Sequence, residues 1–489
     1  MHYNCKRDDL VQNRSQPEST EQKLGLEIVG TVLSVAVVLA YVILLTFVAV
    51  RARTAHEFEE FSLAKRALPL ALVFGSLAAT YVGPGFSISF VGRGFNSGFL
   101  FLGIGLAYAI QNILVGFLIA PRLRSLKDCH SLGDVIGQKY NKKCQVVAGI
   151  ISVGMCAGLA AVMAKAGGGV LSDAFGLHRW TSVAFVVGVT ALYTTFGGLR
   201  ASVITDAFQF SAFATLLPMT LLIAFAFNLK GGVETFTNHA IEATSQGLDS
   251  TPLIEIVGFF LAWLLGETLI PPYANRALAS KTTKISRDGF ILAGLFSTVW
   301  FIVMISLGII ARSIIPNDTG EDFVLLNLVK MIMPASGYAL LLVVLISIIM
   351  SSLDSLLNAG AVAFTQDIIQ PFKKLKNGQA LSAGRAATIA IALVAAVCAV
   401  FVPSIIEGLL LCYTIWAPAI LPALIIGLII KKPRPLAGIL SMGIGTIVAI
   451  VFEFTLSDLI GIPAIIPALT FALIVYFLGH WFGTVKSGD

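Results

Sequence analysis

The chain has 489 residues, of which 57% are hydrophobic and 12% are charged, and its formal net charge is +6. Ordinary soluble domains carry about 25% charged residues, so this composition excludes a soluble globular protein. The Lys and Arg residues are scattered over many short loops, which argues against a nucleic-acid-binding surface. The sequence is therefore that of a membrane protein whose solvent is the lipid bilayer.

About thirteen stretches are long and apolar enough to cross a bilayer, which predicts an all-α polytopic membrane protein. They are residues 26–50, 70–92, 99–121, 144–171, 180–197, 202–228, 252–270, 289–314, 323–366, 382–402, 404–430, 434–454 and 460–483. The ninth stretch is long enough to require a bend or a separate short helix before Pro334. Between the spans, 132–136 reads as a short amphipathic helix and 229–251 as a non-membrane loop.

Two spans contain helix-breaking residues at mid-depth. The second span holds Gly83-Pro84-Gly85, and the seventh runs from Gly266 through Glu267 to Pro271-Pro272. Free carbonyl groups persist inside a bilayer only where they line a cavity that is enclosed by protein or filled with water. The two breaks are five spans apart, which predicts two inverted five-helix repeats of the LeuT type with a binding site between them.

This arrangement divides the chain into five parts. We expect an extracellular tail (1–24), an extra N-terminal transmembrane helix (25–50), a first repeat (70–228), a second repeat (252–430), and C-terminal helices with a short cytoplasmic tail (434–489). Most Lys and Arg residues, Arg276 among them, fall in loops on the side of the C-terminus. The positive-inside rule then predicts a plasma-membrane protein with its N-terminus outside. Glycosylation of the outer triplets at Asn13 and Asn317 is left open.

The ninth span carries a polar stripe inside an apolar helix. Ser347, Ser351 and Ser355 recur at four-residue intervals, and Asp354 lies within the same arc. Carboxyl and hydroxyl groups buried in a membrane helix usually handle an ion or a proton. Because such oxygen ligands suit a small alkali cation, the stripe predicts a cation site.

Three segments of the chain occur in an order that is typical of one transporter family. Residues 76–83 resemble that family's first core helix. A second segment is similar to the family's Gly-Gly-Leu turn and the Thr-Asp-x-x-Gln motif that follows it; here these are Gly197-Gly198-Leu199 and Thr205-Asp206 with Gln209. Residues 351–355 with Asn358 are similar to its paired-serine motif. Over roughly residues 58–454 the chain thus resembles the sodium/solute symporter family, whose members move sugars, proline, pantothenate, choline, iodide or small carboxylates.

The resemblance implies a main sodium site between the second and ninth spans. Its ligands are the backbone carbonyl groups of Ala79, Val82 and Ile348 and the hydroxyl groups of Ser351 and Ser352. The alternative for both serines is a hydrogen bond to the carbonyl group of the preceding helical turn, which is common in membrane helices. Sodium is the only cofactor expected.

The resemblance also implies that Asp206 assists the passage of sodium or belongs to a second sodium site. Asp354 and Ser355 complete that second site in members that use two sodium ions. Asp354 stands where other members have serine or alanine, so the number of sodium ions is open. Two alternatives remain: Asp206 as a carboxylate at a helix N-terminus, and Asp354 as a protonated, hydrogen-bonded acid.

We expect the solute to bind between the two broken spans. The expected contact residues are Tyr81, Gly83, Phe86, Trp263, Glu267 and Tyr273. Glu267 suits an ammonium group or a pairing with Lys165, and the aromatic faces suit a cation or a ring. Residues 272–281 resemble the choline-transporting branch, but Tyr81 and Ile270 replace tryptophans of its cage. Choline is therefore one candidate solute.

These features predict sodium-coupled secondary active symport of a small organic solute into the cell, by alternating access. The sequence contains no His-Glu-x-x-His, Gly-x-Ser-x-Gly or Walker-type motif, so we do not expect an enzyme. The expected partners are the solute, sodium and lipid, and the oligomeric state is open. The alternatives are a proton-coupled symporter that uses Asp206 or Asp354, a sodium channel, and a solute sensor on the same fold.

Overall fold

The computed structural model describes residues 20–51, 55–228 and 231–482. This part of the chain is helical throughout, as predicted, and contains one isolated β-bridge, between Leu68 and Ser280. Helix formation begins at Thr20, inside the predicted N-terminal tail. Asn13 and the last residues of the predicted cytoplasmic tail, 483–489, lie outside the described residues.

The helices are numbered in chain order. The first ten are α1 (Thr20–Arg51), α2 (Phe58–Leu63), α3 (Leu70–Tyr81), α4 (Phe90–Ser97), α5 (Leu100–Leu118), α6 (Ala120–Ser125), α7 (Leu132–Lys139), α8 (Lys142–Phe175), α9 (Arg179–Ile223) and α10 (Gly232–Ser250). The others are α11 (Leu253–Leu265), α12 (Pro271–Ala279), α13 (Thr283–Ala311), α14 (Val324–Ile332), α15 (Ala335–Ala363), α16 (Asn377–Cys398), α17 (Ile405–Leu421), α18 (Gly427–Ile429), α19 (Pro435–Val451), α20 (Ser457–Ile460) and α21 (Ile465–Phe482).

Short polar side chains mark the beginnings of several helices. The N-terminal backbone N–H groups of α7, α8, α13 and α17 donate to the side chains of Ser131, Asn141, Thr282 and Ser404. These caps satisfy donors that have no partner within the helix. Helix α8 ends where Gly176 takes the left-handed conformation, with φ 64°. The capped helix α7 confirms the short helix predicted at 132–136.

Ten described helices are long and apolar enough to cross a membrane, or up to twelve when each sharply bent helix pair is counted as one span. The prediction of about thirteen differs partly because 180–197 and most of 202–228 lie in one helix, α9. The stretch Arg179–Ala226 has 48 residues. At about 1.5 Å per residue it is more than twice as long as a bilayer's hydrocarbon core is thick. The backbone leaves the helical region at Gly198, with φ 59° and ψ −158°, and this divides α9 into two arms.

Both predicted breaks are present. Helix α3 ends at Tyr81, and the chain passes through a π-helical turn, Gly85–Ser89, into α4 with a bend of 62°. Helix α11 ends at Leu265, and α12 begins at Pro271 after a segment in which Leu269 has φ 50°. The seventh predicted span, 252–270, therefore continues beyond its predicted end.

Two connections differ in how well they were predicted. The short helix expected before Pro334 is present as α14. The loop expected at 229–251 instead contains α10, which meets α11 at 104°. The sequence does not predict α10, because its polar residues and low hydrophobicity are typical of a loop.

Helix α15 lies at the centre of the bundle. In Ala335–Ile369, 89% of an apolar stretch of 18 residues is buried, against 28% of the corresponding stretch in Val29–Ala49 of α1. Helix α15 packs against α8, α9 and α16, whereas α1 contacts mainly α9 and α15. The polar stripe of α15 therefore faces protein and not lipid.

Candidate functional site

The second span opens just beyond α3. The N–H of Val82 donates to the carbonyl oxygen of Ala78 at 3.1 Å and closes the helix. The carbonyl groups from Ala79 onward lie beyond this last intrahelical hydrogen bond. The carbonyl oxygen of Val82 accepts a hydrogen bond from Ser87 Oγ at 2.6 Å. Ala79 and Val82 are fully buried, so the open helix end is inside the protein.

Ser352 faces this open end from α15. Its Oγ lies 2.9 Å from the position that a Cβ would take on Gly83, and its hydroxyl group has no hydrogen-bond partner in the described part of the chain. Ser351 instead donates to Asp206 Oδ1 at 2.7 Å. Ile348 is buried one turn before Ser352. Of the two serines, Ser352 is thus the one placed at the break, and Ser351 is directed toward Asp206.

A buried ion pair joins α9 to the second broken span. Asp206 and Arg276 are both fully buried, with 3.2 Å between Oδ2 and Nη2. Ser76 Oγ donates to the same Oδ2 at 2.5 Å and accepts from Arg276 Nε at 3.0 Å. Arg276 also donates to Ser355 Oγ and, at 3.1 Å, to the carbonyl oxygen of Pro272. One guanidinium group therefore links α3, α9, α12 and α15.

The sequence placed Arg276 in a cytoplasmic loop, and the structure corrects this. Arg276 follows Pro271-Pro272 and precedes the basic residues Lys281 and Lys284, a pattern that is typical of a positively charged connection. In the structure the chain forms α12 here and the guanidinium group is buried. The carboxyl group of Asp206 was the available signal, because a buried carboxylate needs a partner.

Asp354 accepts hydrogen bonds from hydroxyl groups. The donors are Tyr193 (2.9 Å), Ser202 (2.7 Å), Ser355 (3.2 Å) and Thr205 (3.4 Å). Within the described residues, no Lys or Arg side chain forms an ion pair with Asp354. Together with the neighbouring pair Asp206–Arg276, this buried cluster holds two carboxyl groups and one guanidinium group.

Glu267 lies in the irregular segment between α11 and α12. Its side chain is buried, and its Oε1 accepts a hydrogen bond from the hydroxyl group of Tyr273. Among the residues described, none forms a hydrogen bond with its Oε2. The hydroxyl group of Tyr273 also lies 3.2 Å from that of Tyr108. Glu267 is therefore a buried carboxyl group with one oxygen unpaired.

The predicted pairing of Glu267 with Lys165 is wrong. Lys165 lines a separate cavity together with Asp173, Arg179 and Asp322. Helix α8 carries the lysine past the level of the break, where the carboxyl groups of Asp173 and Asp322 are near. Glu267 thus has no lysine partner in the described structure.

Six buried aromatic residues, here called the aromatic box, surround the two breaks. The six residues are Tyr81, Phe86, Tyr108, Trp263, Tyr273 and Tyr413. The distances between neighbouring ring centroids are 4.3 Å for Tyr81 and Tyr273, 4.7 Å for Phe86 and Trp263, 4.5 Å for Phe86 and Tyr108, and 5.4 Å for Trp263 and Tyr413. The sequence predicted four of them and missed Tyr108 and Tyr413. Those two lie in long apolar helices away from the breaks in sequence, so only tertiary packing brings them here.

A cavity of about 20 Å³ lies between the two breaks. Ser352, Gly83, Phe86, Glu267, Tyr273 and Tyr413 are among its lining residues. A cavity of this size holds about one water molecule or ion. The residue predicted to bind sodium and the carboxyl group predicted to bind solute therefore line the same space.

Solved structures share this fold. A Na⁺-coupled sialic acid symporter in a substrate-bound, outward-open state matches with a TM-score of 0.81 at 15% identity, over 94% of this chain and 99% of that one. A transporter of the nucleobase-cation-symport-1 family matches with a TM-score of 0.59 at 9% identity, over 87% of this chain and 96% of that one. These likenesses confirm the predicted all-α class with a LeuT-type core.

Sequence comparison gives the family. The sodium/pantothenate symporter of Haemophilus influenzae is 26% identical over 369 residues, 72% of this chain and 75% of that one. The osmoregulated proline transporter of Bacillus subtilis is 25% identical over 400 residues, 76% and 78% of the two chains. Sodium/glucose cotransporter 1 of Ovis aries is 27% identical over 258 residues, 43% and 39%.

Fold, membrane spans and relatives together define a multi-pass membrane transporter. The profile of the sodium:solute symporter family matches residues 61–445. The chain belongs to the sodium:solute symporter family, as its motifs predicted. Membership supports sodium as the coupling ion and a small solute as the cargo.

Proposed function

We propose that this protein moves a small organic solute into the cell by sodium-coupled symport, with alternating access to a central site. The observation that carries the proposal is the hydroxyl group of Ser352, which is buried, unpaired and directed at the broken second span. A buried polar group without a partner is costly, so its position favours a ligand. A sodium ion satisfies the hydroxyl oxygen by coordinating it.

The main sodium site joins α3 to α15. Its ligands are the hydroxyl oxygens of Ser351 and Ser352 and the carbonyl oxygens of Ala79, Val82 and Ile348. Ser351 donates its proton to Asp206, so the lone pairs of its oxygen remain available to a cation. Because sodium holds both helices, its binding favours one arrangement of the two and orders the adjacent solute site.

Asp206, Asp354 and Ser355 form a second sodium site or a station on the route by which sodium leaves. This role is supported by the charges of the buried cluster, in which Arg276 balances only one of the two carboxyl groups when both are ionised. An uncompensated buried charge is costly, so the cluster attracts a monovalent cation.

The solute binds between the two breaks. Its proposed contacts are Tyr81, Gly83, Phe86, Trp263, Glu267 and Tyr273. The named relatives carry pantothenate, proline and glucose, so family membership leaves the charge of the solute open. Glu267 and the aromatic box favour a cationic or zwitterionic solute, such as choline or an amino acid.

The energy available from sodium is sufficient for concentrative uptake. One positive charge moving inward gains about 2.3 kcal/mol per 100 mV. A tenfold sodium gradient adds about 1.4 kcal/mol. The sum, about 3.7 kcal/mol, supports roughly a 500-fold accumulation of a neutral solute per sodium ion. In the orientation that we propose, the N-terminus is outside the cell and the C-terminus is cytoplasmic, as the distribution of Lys and Arg favours.

Uptake into proteoliposomes tests the proposal. We expect one solute of a panel that contains choline, ethanolamine, proline, pantothenate and glucose to accumulate when an inward sodium gradient is imposed, and not when potassium replaces sodium. Ser352→Ala should raise the sodium concentration for half-maximal uptake roughly tenfold, because one ligand is lost. Ser297→Ala is the matched control, since this buried hydroxyl group donates to the carbonyl oxygen of Ala293 at 2.8 Å. An unchanged sodium dependence in Ser352→Ala contradicts the assignment of the main site.

Proton coupling is the second candidate, and Asp354 is the observation that favours it. A buried carboxyl group that is surrounded by hydroxyl groups and lacks an ion-pair partner is suited to carrying a proton. In the same proteoliposomes, uptake driven by a proton gradient without sodium supports this candidate. Sodium conductance far above transporter rates indicates a channel, and binding without uptake indicates a sensor.

A further inference from the structure

Glu267 is the one charged side chain among the described residues that line the central cavity. Its carboxyl group is buried, and the hydroxyl groups of Tyr108 and Tyr413 face it as hydrogen-bond donors. Neither hydroxyl group forms a hydrogen bond with Oε2. An ionised carboxyl group in this position is costly unless a cation is close to it. The cavity is therefore complementary to a positively charged ligand group.

The nearest candidate cations of the protein are engaged elsewhere. The guanidinium group of Arg276 is occupied by Asp206, Ser355 and other acceptors. Lys165 lines the other cavity. Neither side chain reaches Glu267, and the proposed sodium ion is held by oxygen ligands of α3 and α15. The solute is therefore the remaining source of a positive charge that contacts Glu267 directly.

The backbone around the breaks also favours a cation. Helices α3 and α11 direct their C-terminal ends, which carry partial negative charge, at the two breaks. The half-helices that follow begin with Pro84 and with Pro271-Pro272. The N-terminal ends of such half-helices usually bind anionic groups through their N–H groups. Proline has no N–H to donate, so anion binding at these two ends is weakened. A carboxylate on the solute finds no free cationic group among these elements, because the guanidinium group of Arg276 on α12 is engaged.

We infer that the solute is a small protonated amine without a carboxylate, whose N–H groups donate to Glu267 Oε2. This inference rests on the proposed symport function and narrows its solute class. An unpaired carboxylate oxygen requires a donor, which favours a primary or secondary amine over a quaternary ammonium group. The faces of the aromatic box hold the same positive charge, and the buried polar atoms of Tyr81 and Trp263, both unpaired, accommodate polar groups next to it.

Matched ligand sets test the inference on the purified protein by thermal unfolding in sodium. Each set contains a primary amine, its α-carboxylated amino acid and its trimethylated derivative. The sets are ethanolamine with serine and choline, isobutylamine with valine and N,N,N-trimethylisobutylammonium, and phenethylamine with phenylalanine and N,N,N-trimethylphenethylammonium. We expect at least one amine to stabilise the protein. Its amino acid and trimethylated counterparts should bind at least about tenfold more weakly, because one loses charge complementarity and the other the N–H donors.

Glu267→Gln should abolish stabilisation by the amine while sodium alone still stabilises the protein. Glu255→Gln, an exposed carboxylate on α11, is the matched control.

If that amine stabilises Glu267→Gln as it does the wild type, or if amino acids or trimethylated ligands bind best, the inference is overturned. If the variant does not fold, the matched ligand sets on the wild-type protein still test whether the amine binds more tightly than its amino acid and trimethylated counterparts. Sodium stabilisation without any amine effect also overturns the inference and leaves the symport proposal standing. Amine binding that is independent of sodium supports the inference and contradicts the coupling.

Discussion

At the scale of single residues, Arg276 organises the buried charges. It pairs with Asp206 at 3.2 Å and donates to hydroxyl groups on α3 and α15. Taking charges out of water is costly, and removing one partner of a buried ion pair leaves the other charge buried without compensation. The side chain of Asp206 is therefore positioned by Arg276 as well as by the serine hydroxyl groups that donate to it.

Arg276→Gln should lower the free energy of unfolding by about 3–5 kcal/mol, because Asp206 loses its ionic partner. Adding Asp206→Asn removes the stranded charge, so the double variant should be more stable than Arg276→Gln alone. Thermal unfolding of the purified variants measures both effects. Arg287→Gln, which breaks the exposed pair with Asp288, should cost less than about 1 kcal/mol. A double variant that is less stable than Arg276→Gln contradicts this coupling.

Asp354→Asn tests whether the second cluster handles sodium. In the wild type the negative charge of Asp354 attracts sodium, so uptake by the variant should need a higher sodium concentration for its half-maximal rate. The pH profile of uptake should stay that of the wild type. Asp249→Asn, an exposed change on α10, is the control. Loss of the pH dependence with an intact sodium dependence would assign Asp354 to proton transfer instead.

Some site residues were predictable from the sequence because of their chemistry. A carboxyl or hydroxyl group inside an apolar run, as at Asp206, Asp354 and Ser352, is visible without coordinates. Arg276 and Tyr193 were not predicted as site residues. The arginine lies among loop-like charges, and the tyrosine is one aromatic residue among many in apolar helices. Their roles depend on which helices pack together, which periodicity does not specify.

At the scale of elements, the two breaks determine where the site forms. Both were predictable, because glycine and proline interrupt helices by a local mechanism. The division of α9 at Gly198 was placed to within a few residues. The extent of the second broken span was not predictable, because α12 carries polar residues whose burial depends on their partners Asp206 and Ser76.

Gly83→Ala should abolish sodium binding while the protein still folds. Its added methyl group lies 2.9 Å from Ser352 Oγ and 3.5 Å from the carbonyl oxygen of Thr80, so it occupies the proposed main site. Sodium-dependent thermal stabilisation measures the effect. Gly103→Ala on α5 is the control, because no atom lies within 4 Å of the new methyl group. Normal sodium binding by Gly83→Ala would place the main site elsewhere.

At the scale of the whole molecule, hydrogen bonds join separate helices on both sides of the broken second span. Beyond the break, Asp322 accepts hydrogen bonds from Ser89 Oγ at 3.1 Å and from the N–H of Ile405 at 3.4 Å. Before it, the side chain of Asn358 donates to the carbonyl oxygen of Phe61 at 3.2 Å. Under the alternating access that we propose, one set of contacts breaks while the other holds, and sodium and solute would favour one state by binding it better.

The central claim is that this chain binds sodium at the broken second span and uses it for symport. Thermal unfolding of the purified wild type and Ser352→Ala, in sodium and in potassium at equal ionic strength, tests this claim most directly. A ligand that binds only the folded state stabilises it in proportion to RT ln(1 + [L]/Kd). We predict a saturable, sodium-specific rise in the unfolding temperature of the wild type that is reduced in Ser352→Ala. Equal unfolding temperatures in sodium and potassium, or an undiminished shift in Ser352→Ala, would contradict the account.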